Sequence, residues 1–181
     1  QVVSKFDLEF QSKKIAILTF DDGLKDHFIN VFPRLQRLGL SGQFFVSSAP
    51  LLNQVVLDVH KIQLLLASQS IDDLFVNLKD RMQGMNVADD IQRSLYSHDD
   101  GRFDDAQTLT FKRLLQRDLP KEIREYITNS IFQLYFPGEE QVISKRLYMT
   151  IAEIQKMKQE GMVIGNHTES HQWLSYLEFD E

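Results

Sequence analysis

The chain has no cysteine among its 181 residues. Disulfides, thiolate metal sites and a cysteine nucleophile are therefore excluded, although the compartment is not decided by this. It also has no apolar stretch approaching the ~20 residues that span a bilayer, so no transmembrane segment is expected. Positive charge is not in excess: 26 acidic residues face 20 Lys and Arg, giving a formal net charge of -6 and a pI near 5.4. The basic residues are scattered, without the patch or stripe of a nucleic-acid binder, so neither nucleic acid nor a polybasic membrane contact is expected. Gln1 to Gln11 lacks the basic-then-apolar order of a secretory signal. A cytoplasmic location is slightly favoured over a secreted or periplasmic one. No repeat period is visible.

What is present is enough for a folded domain. Hydrophobic residues make up 43%, including 13 Phe, and charged residues 25%. These values permit a sizeable core in one domain. Lys14 to Phe20 (KIAILTF) is a short apolar run that predicts a buried strand. Phe28, Val31, Phe32, Leu35 and Leu38 then repeat at helical spacing up to Gly39, a helix stop. Pro33 lies inside this helix and predicts a kink or a late start. Gln43 to Val46 (QFFV) predicts a second strand, and together these segments form a βαβ pattern.

From about 57 to 145 the apolar residues recur mostly at helical spacing, which predicts a large helical insertion. Its stripes include Val59, Ile62, Leu65 and Leu66, then Leu74, Phe75 and Leu78. Ile91 and Leu95 continue the series, and Ile123, Ile127, Ile131 and Leu134 end it. His98 to Asp105 reads as a solvated acidic turn whose spacing does not match an EF-hand. The βα rhythm returns with Thr150 and Glu153 as a capping box, a helix ended by Gly161, and a third strand at Met162 to Ile164. Trp173 to Phe179 suggests a further helix.

Two polar clusters each follow a predicted strand. Asp21-Asp22-Gly23 comes after the first, and His167-Thr168-Glu169-Ser170-His171 after the third. In parallel α/β folds, ligands gather at the C-terminal strand ends. His167 and His171, four apart, would present two imidazoles on one face of a helical turn, close enough to share a metal. Thr168 stands where zinc proteases of the familiar pattern carry a glutamate base, so the base must come from elsewhere. Of the two aspartates, one can complete a metal face and the other can take a proton from water. The plain alternatives are an ordinary Asp-Asp-Gly turn and a pair of surface histidines; the two clusters together, both at strand ends, argue against them. Of the other candidates, His27 is expected as an exposed helix residue, and His60 as a partly buried one beside an apolar stripe. Trp173 is expected either to line the site mouth or to pack in the core.

The sequence AILTFDDG, a helix ending in LGL, GQFFVSS and then EGMVIGNHTESH resembles the polysaccharide deacetylases, the NodB-homology family. The likeness covers roughly Lys13 to Ser48 and Thr150 to Leu177, with an insertion resembling that of a subgroup associated with surface-sugar biosynthesis. The resemblance implies Asp21 as general base, and Asp22, His167 and His171 as ligands of a divalent metal, zinc being the usual ion. It implies that Thr168 shapes its loop by hydrogen bonding. The implied fold is a partial distorted (β/α) barrel, and the implied reaction removes acetyl groups from an N- or O-acetylated sugar or polysaccharide. A carbohydrate substrate is thus the expected partner. The family's later motifs, which supply a base-orienting Arg, acetyl-pocket residues and a general acid, have no match here, and the single domain is expected to be incomplete. A sheet of three strands would leave an edge that missing sequence or self-association into a homo-oligomer would cover. Rival readings are a truncated non-catalytic metal- or sugar-binding relative and a hydrolase of small cyclic amides.

Overall fold

A computed structural model of the chain describes residues 2–3, 16–83, 85 and 105–174. The architecture is mixed α/β, predominantly helical, with a small three-stranded parallel sheet; the described residues do not form a closed barrel. Two compact units are present, Gln1–Leu57 with Glu140–Glu181, and Asp58–Glu139.

In the first unit β1 (Val2–Val3) pairs in parallel with β2 (Ala16–Ile17). A separate parallel sheet has the order β3 (Thr19–Phe20), β4 (Gln43–Val46), β5 (Val163–Asn166). The strand expected over Lys14 to Phe20 is thus divided at Leu18, whose carbonyl accepts the Gln43 N–H at 2.9 Å. The chain changes partner there, from β1 to β4. An apolar run reports burial and is silent about which neighbour a strand pairs with. The third strand runs to Asn166, beyond the Ile164 at which it was expected to stop. Gly165 makes this continuation possible: a Cβ there would lie 2.6 Å from the Phe45 ring on β4, so only a glycine lets that ring lie across the strand.

Lys25 and Asp26 begin the helix after β3. A π-helical turn, His27–Val31, follows, and then regular α1, Phe32–Arg37. Phe32 N–H bonds back to the His27 carbonyl, five residues earlier. Pro33 has no N–H to give to Ile29, and its ring would crowd that carbonyl in a regular helix; a widened turn before it relieves both problems. Phe32, Leu35, Phe44, Val46, Met149, Met157 and Met162 form the core of this unit. α2 (Ser48–Asn53) follows β4, and α7 (Glu140–Leu147) and α8 (Ile151–Gln159) precede β5. The Thr150–Glu153 capping box is formed in both directions, and Gly161 beyond the helix has φ +90°.

The described residues of the second unit are mostly helical: α3 (Asp58–Ser68), α4 (Ile71–Met82), α5 (Ala106–Arg113), a π-helical turn Leu114–Asp118, and α6 (Lys121–Tyr135). Ser70 and Asp105 cap α4 and α5 through their side chains. Ile62, Leu65, Leu74, Phe75, Leu78, Ile127 and Ile131 share one buried core, to which Phe111, Leu114 and Leu115 also belong. Leu134 stands outside it, exposed. Ile91, Leu95 and the acidic segment from His98 to Asp104 lie outside the described residues. No helix among the described residues is long and apolar enough to cross a membrane.

Candidate metal centre

β3 and β5 flank β4 in one parallel sheet, with Phe20 opposite Phe44 and Asn166 opposite Val46. Asp21-Asp22 leaves the end of β3 and His167 leaves the end of β5, so both clusters reach the same rim. There Asp22 Oδ1 lies 3.4 Å from His167 Nε2 and 3.3 Å from His171 Nε2. One ligand atom from each of the three residues falls within 4.8 Å of the others. In a tetrahedral site with bonds of about 2.0–2.1 Å, neighbouring ligand atoms stand about 3.3–3.4 Å apart. The two oxygen–nitrogen separations match this, and a donor set of two imidazole nitrogens and one carboxylate oxygen suits zinc, or another divalent ion of similar size. All three side chains keep part of their surface in water, as a catalytic metal with an open position for water requires.

The backbone is bent to produce this convergence. Asp22, Thr168 and His171 all have φ between +60° and +71°. These left-handed conformations are costly for residues with a Cβ, and they cluster where function overrides local preference. His167 and His171 consequently meet across an irregular turn, not along a helical one. Four-residue spacing brought them together as expected, but by left-handed steps at Thr168 and His171. Their rings meet edge to face at 4.8 Å.

Neighbouring groups hold both loops. His167 N–H donates to the Val46 carbonyl at 3.1 Å, and the buried Ser47 hydroxyl donates to the His167 carbonyl at 2.9 Å. Ala49 N–H bonds to the Glu169 carbonyl, and Thr168 Oγ1 accepts the Gln172 N–H at 3.1 Å. On the other side, Gly23 (φ +71°) packs so closely on Val46 that a Cβ would lie 2.7 Å from Val46 Cγ1. Its carbonyl accepts the Met149 N–H, and Leu24 bridges to Tyr148. The loop is thereby tied to the segment that precedes α8.

Asp21 is exposed beside Asp22 and is not one of the three converging groups. The expectation for His27 is corrected. It is half-buried, with its ring 5.6 Å from Phe20 and 5.9 Å from Phe44. Its Nδ1 is buried without a hydrogen-bond partner among the described residues. Burial lowers its pKa, against the opposing charges of Asp26, Asp22 and Asp21. Helical spacing could have found this, because His27 lies four and eight residues before Val31 and Leu35 of the apolar stripe. His60 is buried. Trp173 is 54% exposed, so the core-packing alternative does not hold for it.

Comparison with protein-family models, with curated proteins and with solved structures finds no match to this chain.

Proposed function

We propose that this chain is a metal-dependent hydrolase of the polysaccharide deacetylase type, carrying its site on part of a distorted (β/α) barrel and removing acetyl groups from an N- or O-acetylated sugar. The observation that supports this best is the convergence of Asp22, His167 and His171, whose ligand atoms lie within 4.8 Å of one another, with Asp21 next to them and open to solvent. The motifs around these residues, TFDDG and HTESH, are those on which the family resemblance rests.

In this reading Asp22 and the two imidazoles hold the ion at the rim. When bound, zinc supplies Lewis acidity toward water and toward the acetyl carbonyl. Asp21 takes a proton from the water as it attacks that carbonyl. This division of labour is the one the family resemblance implies, and it is supported by Asp22 joining the cluster while Asp21 stays exposed beside it. The Ser47 and Thr168 hydrogen bonds keep the histidine loop in place.

The test begins with protein stripped by a chelator and reloaded with zinc. One zinc per chain is expected. The double variant His167→Ala, His171→Ala should lose it, and full retention of metal by that variant would overturn the site. Acetate release from an N-acetylglucosamine tetramer and from an acetylated xylan tests the reaction. Stoichiometric metal without hydrolysis of either would turn the reading to a metal-binding relative, and hydrolysis confined to small cyclic amides would change the substrate class.

A further inference from the structure

The Asp-Asp-Gly turn that carries Asp22 takes two left-handed steps in succession, Asp22 and Gly23 both having φ of +71°. A residue with a Cβ keeps such a conformation only where its surroundings fix it. Here one segment, Tyr148 to Glu153, is attached to the turn at three points. Leu24 forms an antiparallel bridge with Tyr148, and the Met149 N–H donates to the Gly23 carbonyl at 2.9 Å. Lys25, three residues past Asp22, makes the third attachment: its Nζ donates to Glu153 Oε2 at 2.6 Å. That same oxygen accepts the Thr150 N–H at 2.6 Å and the Thr150 hydroxyl at 2.9 Å. The Lys25 and Glu153 side chains are only 19% and 21% exposed, so salt screens this pair less than it screens an ion pair on the open surface. A capping box needs only the exchange between Thr150 and Glu153. The Lys25 ammonium is additional to it, and it joins the start of α8 to the turn on which Asp22 sits.

We propose that Lys25 and Glu153 are positioning residues for the metal: their ion pair pins the Asp-Asp-Gly turn to the start of α8 and so holds the Asp22 carboxylate where it meets His167 and His171. This rests on the metal-centre reading and deepens it. Neither side chain is among the three converging groups; both act through the backbone of the turn. With the pair intact, the aspartate is in place before the ion arrives. Without it, ordering the turn subtracts from the free energy of binding.

The test uses the full chain, stripped by a chelator. It is titrated with zinc against a competing chelator, and with cobalt(II), whose visible absorption reports the geometry of its ligands. Lys25→Met should raise the zinc Kd about tenfold, the lower end of what loss of an orienting partner does to metal affinity, and should shift the cobalt absorption. Lys25→Arg, which keeps the charge, should recover most of the affinity. Glu153→Gln should act in the same direction, and adding Lys25→Met to it should cost little more, because both changes break one interaction. Ser41→Ala is the control for general loosening: it removes a hydrogen bond of 2.7 Å to the Gly161 carbonyl, beyond the other end of α8, and should leave zinc affinity unchanged. If Lys25→Met does not fold, Glu153→Gln, which can keep the capping box, decides by the same readings. A Lys25→Met protein with wild-type zinc Kd and cobalt absorption, or a Ser41→Ala protein that loses as much affinity, overturns the clamp and leaves the metal centre standing. A wild-type chain that takes up no zinc overturns the metal centre and the clamp together.

Discussion

At the scale of single residues, the proposed site assigns different tasks to a few side chains, and substitution can separate them. Asp21→Asn removes a proton acceptor and leaves Asp22 in place. It should keep zinc stoichiometry and lower kcat by about 10²–10⁴-fold, the usual contribution of a general base. A near wild-type kcat in this variant would sink the assignment. Gly23→Ala is a different kind of change. It puts a Cβ 2.7 Å from Val46 Cγ1 at a position whose φ of +71° disfavours L-residues. The left-handed strain alone costs about 1–2 kcal/mol, so thermal unfolding should show a clear loss of stability and zinc affinity should fall with it. The two clusters were legible in the sequence from residue type and position after apolar runs, which left open which aspartate joins the histidines; the family resemblance implied Asp22, and Asp22 is the one that converges with His167 and His171. Their backbone was not legible. Only glycine signals a positive φ dependably, and here Asp, Thr and His adopt one.

At the scale of elements, the helix signals that could be read were chemical ones. Thr150 and Glu153 form the predicted capping box because each satisfies an otherwise unpaired N–H of the other. Its full role was not visible, since Glu153 also meets Lys25 Nζ at 2.6 Å, just past the Asp-Asp-Gly turn. Burial alone would raise the Glu153 carboxyl's pKa, but the hydrogen bonds from Lys25 and Thr150 prevail and hold it below its ordinary value. A carboxylate depressed in the folded state adds stability above its unfolded pKa and loses it as pH falls through the folded one. Glu153→Gln can keep the capping box but loses the ion pair with Lys25, and should therefore lower stability at neutral pH by up to about 1 kcal/mol. The difference from wild type should shrink in acid as the carboxyl takes up its proton, and equal unfolding midpoints at pH 7 would contradict this account. The elements that escaped prediction, the strand divided at Leu18 and the π turn before Pro33, have one cause in common. Periodicity describes which face is apolar and says nothing of a change in hydrogen-bond partner.

At the scale of the whole molecule, Asp22, His167 and His171, the candidate metal ligands, all belong to one of the two compact units. A ligand that binds only the native state stabilises what holds it. Zinc should therefore slow amide hydrogen exchange at the rim, notably at Ser48, Ala49 and His167, and leave α3 to α6 little changed. Equal protection across both units would argue against a site confined to the rim. The sequence separation inside that rim has a further consequence, for the time course of folding. Ser47 and His167 are hydrogen-bonded across 120 residues of chain, and β4 pairs with β5 over the same span. Closing so long a loop precedes any reward from the contact, and pairings of this kind form slowly. The helices of Asp58–Glu139 are local structures and need no such closure. On dilution from denaturant, helical circular dichroism should recover first and the capacity to capture zinc afterwards. The metal then acts as a clock for the last step of assembly: a chain that takes up zinc is one whose two distant segments have already met.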